Sequence, residues 1–504
     1  MEDWKQGQIS LGYNRTFGRH ALDGAVNFHI SGYNGDGYFS YKYHYANLNG
    51  RINYSYDDRY VAEFGFSYFG NDAYAKGNQW AFYPSVSAAW VLSNEAFLKD
   101  SKVVDLLKLR LSYGRSGFAD SGATGVLSNY SSNGRYLFKD YYTNSYVGSF
   151  YMGSGEGVWQ SSLVHMFLAN AGVHAEKSSK YNVGIDAELF GKLHLSADAF
   201  IDKRTDILTL DNSMMGYYGK NYYFDNIGKM TNKGVELSAV WNDQRANWGY
   251  SINGSVSFNR NKIDYMAEVA PAYSYNAQTG RPYGTLIGLV ADGFYDVDDF
   301  NADGSLREGL PVSSYQNTVR PGDVKYRDLN RDGRIDDYDR TYQLYAAVPE
   351  IYYGFSVELK YRGFGVSAYF QGVAHSTLET TLSSIYQPLY GNDRNVSEYY
   401  MEHRWSRFNT EGRYPRLTTL ANGNNYTQSS LWTENGNFLK LRTLQAYYKL
   451  PSKIARKLRM RECSFYFRGL NLFSADHVGI LDPEYVSTGY PSSRSYQIGL
   501  NVIF

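Results

Sequence analysis

One cysteine, Cys463, leaves this chain of 504 residues without an intrachain disulfide or a cysteine-based zinc site. Neither sign of charge is in excess, because 50 Lys and Arg face 50 Asp and Glu; nothing draws the chain toward nucleic acid, and no such partner is expected. No stretch approaches the roughly 18 consecutive apolar residues of a membrane helix. The opening MEDWKQGQIS also lacks the charged-then-apolar order of a signal peptide, so an export address would have to have been removed. Enzyme signatures are missing as well. H-E-x-x-H, G-x-S-x-G and G-x-x-x-x-G-K-[ST] do not occur, the nine His are scattered, and no catalytic residue is assigned. Gly153, Gly155 and Gly157 make a glycine-rich stretch, but no Lys follows to cradle a phosphate, and a loop is expected there.

What the chain has instead is 51 Tyr, 27 Phe, 8 Trp and 49 Gly, a composition suited to strands and turns. Period-two alternation recurs along it. Tyr181, Val183, Ile185, Ala187 and Leu189 alternate with Asn182, Gly184, Asp186 and Glu188, and after Gly191-Lys192 a second run sets Leu193, Leu195, Ala197, Ala199 and Ile201 against polar neighbours. The same hairpin pattern joins Tyr353–Tyr361 to Phe364–Phe370 through Arg362-Gly363. Like segments lie near 8–14, 22–30, 50–56, 60–69, 84–92, 106–113, 234–242, 249–259, 438–449, 463–473 and 493–504, which makes fifteen candidate strands, with a sixteenth considered at 282–290. Many exceed the length of soluble strands and approach the roughly 9–11 residues that cross a bilayer at a tilt.

A soluble sandwich also alternates, but it packs its apolar faces together and leaves a charged exterior. Here one face is aromatic and aliphatic and the other carries Asp, Glu, Lys, His, Asn and Gln, as a lipid-facing exterior and a wet lumen require. Short links such as 57–59, 191–192 and 362–363 coexist with long connections near 114–160, 205–233, 262–350 and 374–436, the asymmetry of short periplasmic turns and long outer loops. The expected fold is therefore an all-β transmembrane antiparallel barrel, with residues 1–504 as one barrel portion and about 14–16 strands present. The last run, Tyr496, Ile498, Leu500, Val502 and Phe504, ends on an aromatic and resembles the sorting signal of outer-membrane barrels.

The segment PGDVKYRDLNRDGRID (321–336) resembles a hallmark of the SusC/RagA family of TonB-dependent outer-membrane transporters of Bacteroidetes. FYPSVSAAWVLSNEAFLK (82–99) and LLKLRLSYGRSG (106–117) are similar to its middle barrel strands. FLKLRTLQAYYKLP (438–451), FYFRGLNLF (465–473), LDPEY (481–485) and YPSSRSYQIGLNVIF (490–504) are similar to its last ones. The resemblance implies a Gram-negative outer-membrane protein bathed in lipid, a plugged barrel of about 22 strands, energy from TonB, a SusD-like surface lipoprotein as partner, and an oligosaccharide or peptide substrate. It also places the start of this chain inside the barrel, so that the plug, the TonB-interacting segment and about six to eight early strands would lie outside it. Import of oligosaccharides is the expected function, with a passive or structural barrel and a soluble secreted carbohydrate-binding β protein as alternatives.

Asp328, Asn330, Asp332, Arg334, Asp336 and Asp339 follow the order of a calcium loop, in which alternate oxygens converge on a hard cation and Gly333 permits the sharp turn. Asp339 stands where an EF-hand has the longer Glu. The order fits equally an Asn/Asp/Gly loop held by side-chain to backbone hydrogen bonds. For the similar start at Asp299, Asn301 and Asp303 the hydrogen-bonded loop is the favoured reading. Tyr217, Tyr218, Tyr222, Tyr223, Tyr390, Tyr399 and Tyr400 are candidate stacking platforms for sugar rings or contacts for a lid protein, but for any one of them an interfacial girdle or loop packing is the favoured reading. The residues that bind substrate are not assigned.

Overall fold

In a computed structural model the chain is described at residues 3–34, 42–118, 136–153, 158–212, 223–380, 387–389, 394–479, 481–484 and 492–504. Tyr217, Tyr218, Tyr222, Tyr390, Gly155 and Gly157 lie outside the described residues. The chain divides into two compact units. The first comprises Met1–Leu237, Asn259–Val269 and Gln278–Gly280, and the second Ser238–Phe258, Ala270–Ala277 and Arg281–Phe504.

The alternating segments become the strands of one 15-stranded sheet, ordered as they come in the chain. We number them β1 (Asp3–Phe17), β2 (His20–Asn34), β3 (Lys42–Tyr56), β4 (Tyr60–Asn71), β5 (Trp80–Val91), β6 (Val104–Phe118), β7 (Glu176–Leu189), β8 (Leu193–Leu210), β9 (Phe224–Gln244), β10 (Trp248–Tyr265), β11 (Ile351–Tyr361), β12 (Phe364–Ala374), β13 (Phe438–Lys449), β14 (Glu462–Asp476) and β15 (Ser495–Ile503). All fifteen alternating segments fall on these strands. The sixteenth does not: Thr285–Gly288 is a short strand that pairs with Thr341–Ala346 outside the large sheet. Four residues are too few to cross a bilayer.

Register turns alternation along each strand into rows across strands, because directly paired residues share a face. In the first unit one row reads Tyr13, Gly24, Ile52, Phe64, Val86, Tyr113, Tyr181 and Ile201 from β1 to β8. The next row reads Asn14, Asp23, Asn53, Glu63, Ser87, Ser112, Asn182 and Phe200. The second unit repeats this, with Tyr250, Leu359, Val366, Ala446, Phe467 and Ile498 beside Ser251, Glu358, Ser367, Gln445, Arg468 and Gln497. Among the described residues no protein layer covers the apolar rows: Ile52, Val86 and Val183 are 54%, 52% and 54% exposed. Contiguous apolar surface of this extent needs a non-aqueous neighbour.

Between apolar rows the second unit sets tyrosine rings over glycines. Tyr447 lies across Gly365 and Tyr466 across Gly499, each pair directly in register. A methyl group on Gly365 would sit 2.1 Å from the Tyr447 ring, and one on Gly499 2.3 Å from the Tyr466 ring. Gly in a strand marks such a close approach.

Residues 18–19, 57–59, 190–192, 245–247 and 362–363 are tight links, whereas 119–175, 266–350 and 375–437 are long and carry structure of their own. The strands run further into the long connections than alternation suggests; β8 reaches Leu210 and β9 begins at Phe224. In the first unit Tyr74, Leu137, Val173, Ala175, Leu208 and Phe224 form a small core at that level. In the second unit the long connections hold two cores, Leu289 with Val324, Tyr326 and Ile335, and Tyr400 with Tyr414 and Trp432.

Candidate functional site

The polar face of the first unit is organised around Arg110 on β6. Its guanidinium makes a fork to Asp186 on β7, with Nε to Oδ2 at 2.7 Å and Nη2 to Oδ1 at 2.9 Å, and reaches Asp198 on β8 at 3.0 and 2.9 Å. Ser196 donates to Asp186 at 2.9 Å. Arg110, Gly184 and Asp198 are in register across the three strands. The middle position must be empty for the outer two to meet: a Cβ at Gly184 would lie 2.5 Å from Asp198 Oδ1 and 2.8 Å from Arg110. Two carboxylates on one cation, with fork geometry, hold a fixed polar wall.

In the second unit a β-bulge redirects the start of β13. Pairing with β12 and with β14 skips Arg442. By strict alternation Lys440 and Arg442 would share the apolar face of Leu444, Ala446 and Tyr448. The extra residue changes that face, as bulges do. Lys440, nearly fully buried, binds Asp482 and also Glu484 at 2.7 Å, and Arg442 binds Glu484 and takes Gln371 as acceptor at 2.9 Å. The connection between β14 and β15 is thereby tied to the polar side of the sheet. Burial pushes the Asp482 and Glu484 carboxyls up, but the hydrogen bonds from Lys440 and Arg442 outweigh it and hold both below the usual carboxylate range.

The long connections of the second unit are pinned at Asp323, which is fully buried. It accepts from Arg416 Nε at 2.7 Å, Asn422 Nδ2 at 3.1 Å and Asn425 Nδ2 at 2.9 Å, and its other oxygen accepts the Arg320 N–H at 2.8 Å. Beside it Tyr400 stacks on Tyr414 at 4.9 Å, Tyr414 on Trp432 at 6.1 Å, and the Trp432 indole N–H donates to the Asn425 carbonyl at 2.7 Å. Burial pushes the Tyr295 hydroxyl up to about 12 and raises those of Tyr326, in the Leu289 core, and of Tyr400 as well. Of the tyrosines singled out in the sequence, Tyr400 is therefore a core residue, while Tyr399 packs on His403 at 4.3 Å.

The acidic loop is closed by its own backbone. Asp328 accepts the N–H groups of Arg331 at 2.6 Å and Gly333 at 2.8 Å; Asn330 accepts that of Asp332 at 3.0 Å; Asp332 accepts that of Arg334 at 2.9 Å. Asp336 accepts the Tyr338 N–H at 2.8 Å, and buried Asp339 accepts those of Leu329 at 2.7 Å and Asp336 at 3.0 Å. Gly333 sits at φ 82°, the left-handed turn expected of it. Among the described residues no three His, Cys, Asp or Glu side chains converge on one point. In the similar stretch Asp303 accepts the Ser305 N–H at 2.9 Å, again side chain to backbone.

Residues 2–340 match the family described as TonB dependent receptor-like, beta-barrel. The chain belongs to this receptor-barrel family. TonB-dependent receptor P3 of Formosa agariphila is 27% identical over 489 residues, covering 90% of this chain and 45% of the relative. TonB-dependent receptor SusC of Bacteroides thetaiotaomicron is 25% identical, covering 90% of this chain and 43% of the relative. The chain thus spans just under half the length of these receptors. In fold it is similar to the RagAB peptide importer in its open-open state, with a TM-score of 0.75, 18% identity, and coverage of 100% of this chain and 55% of that one. The SusC/RagA resemblance of the motifs is borne out, and so is the outer membrane as location: in a receptor barrel the apolar rows are the lipid face and the Arg110 wall faces the lumen.

The Arg110 cluster and the Lys440 anchor were not singled out from sequence. The first shows there only as charge on the polar face of three neighbouring strands. The second is hidden by the bulge.

Proposed function

We propose that this chain provides the wall and outer loops of a SusC-like importer that carries oligosaccharides across the outer membrane. TonB supplies the energy through the plug-bearing part of such a receptor, and a SusD-like surface lipoprotein closes over the substrate. The observation that supports this best is the pairing of lipid-facing rows with a polar wall fixed by Arg110, Asp186 and Asp198. No covalent chemistry is involved; the wall offers hydrogen bonds to a solute passing in water, and the folded long connections supply selectivity. Peptide is the rival cargo, the one named for RagAB. The test deletes the gene in its host and follows uptake of labelled neutral oligosaccharides and of peptides, with and without an uncoupler. Loss of energy-dependent oligosaccharide uptake is expected. Uptake that ignores the uncoupler would leave a passive pore, loss of peptide uptake alone would make peptide the cargo, and a monomer soluble without detergent would overturn the membrane reading.

For the acidic loop we propose calcium, bound by the second lone pairs of the carboxylates that already accept backbone N–H groups. The left-handed Gly333 at the sixth position of the spacing favours it. Calorimetry on the folded chain should give about one ion per chain. No heat at millimolar calcium would leave only the hydrogen-bonded loop.

A further inference from the structure

Two short turns of the second unit, Ser274–Asn276 and Asp337–Asp339, meet side by side and present tyrosines. The Tyr273 and Tyr338 rings stand edge to face, 6.2 Å apart and 78° between planes, and Tyr275 backs Tyr273 in a parallel stack at 5.2 Å. Both front rings face solvent, Tyr273 at 38% and Tyr338 at 54% exposure. Two perpendicular faces make a corner.

The corner is held from several directions. Asn276 donates to the Arg340 carbonyl at 2.6 Å and to that of Tyr338 at 3.4 Å, which ties one turn to the other. Thr341 donates to the Tyr275 carbonyl at 3.3 Å. Asp336 accepts the Tyr338 N–H at 2.8 Å within a capping box closed by Asp339, so the acidic loop orients Tyr338. Next to Tyr338 the Asp337 carboxylate uses Oδ1 for both Arg340, at 2.8 Å, and the Tyr315 hydroxyl, at 2.7 Å. Its side chain is 82% exposed, which leaves Oδ2 open as an acceptor.

Large rings held on a rigid mount with a face left in water can bind apolar faces at little further cost in ordering. A pyranose offers such a face in its axial C–H groups, while its hydroxyls donate to a carboxylate. An anionic sugar would be repelled by Asp337. We propose that Tyr273 and Tyr338 form a stacking corner for a neutral sugar ring, with Asp337 as hydroxyl acceptor. This deepens the importer reading above and rests on it for the presence of the sugar.

The test titrates the full chain in detergent with neutral hexasaccharides of glucose, galactose, mannose and xylose, with an alginate hexasaccharide and a neutral hexapeptide alongside. At least one neutral hexasaccharide should bind, and Tyr338→Ala and Tyr273→Ala should each weaken it roughly three- to tenfold. Tyr338→Phe and Tyr273→Phe should keep binding within about twofold, since the ring face and not the hydroxyl is used. They also control for folding. The inference is overturned if no neutral hexasaccharide binds, if the alanine variants bind like the parent, or if the peptide or the alginate sugar is the ligand that depends on the corner. Binding here needs no TonB, so a chain that binds sugar through the corner but supports no uptake would sink the importer reading alone.

Discussion

The strands and the long connections of this protein are built by opposite rules. Most of the fully buried large side chains, including Trp432, Tyr295, Tyr400, Tyr414 and Leu289, lie in connections, while Ile52, Val86, Val183 and Ile498 on the strands stay open. Strands in lipid keep their apolar rows without covering them, because the solvent is itself hydrocarbon. Connections that stand in water must build a core of their own to be ordered. The difference teaches where substitutions will hurt, and by which mechanism.

The largest effect is expected at Asp323→Ala, which takes from half-buried Arg416 its charge partner and from buried Asn422 and Asn425 their shared acceptor; about 3–5 kcal/mol is the scale. Trp432→Ala opens a cavity worth about 3–5 kcal/mol in the aromatic core. Both should raise hydrogen exchange across residues 394–432 while exchange in the strands of the sheet stays slow. A loss of the sheet with the loops would break the comparison. Val183→Arg, halfway along β7 on the lipid face, should cost about 2–4 kcal/mol in bilayer refolding and little in the loops. Gly184→Ala should cost about 1–3 kcal/mol by pushing Arg110 off Asp198, and Gly184→Leu more, read from thermal melts.

The smallest effect concerns pH. Asp482 and Glu484 titrate below their ordinary values when folded, so they stabilise the anchored segment above about pH 4 and lose that contribution as pH falls through their depressed values. Proteolysis near residues 477–484 should rise between pH 4 and pH 3 and should not change between pH 7 and pH 5. Cleavage that rises with alkali instead would contradict the assigned pairing with Lys440.

Period two made the lipid-exposed parts of the strands legible, because one face there tolerates only apolar residues. It failed where strands leave the bilayer. β9 reads as a strand from sequence only at 234–242, since Asn226, Lys229, Thr231, Asn232 and Lys233 put polar groups on both faces beyond the hydrocarbon. At β13 the alternation was visible but the bulge at Arg442 was not, so the destination of Lys440 was hidden. The acidic loop was legible as a spacing because its groups are neighbours in the chain. The Tyr273 and Tyr338 corner was not, because distant turns form it, and the core of Tyr400, Tyr414 and Trp432 has no period to read.

The rings of Tyr447 and Tyr466 lying over Gly365 and Gly499 bear on how β12 aligns with β13 and β14 with β15. Sliding either neighbour by a single step would bring a side chain under the phenol, which has no room for one. Such pairs fit as a key and its slot, and they penalise every register but the one the sheet has.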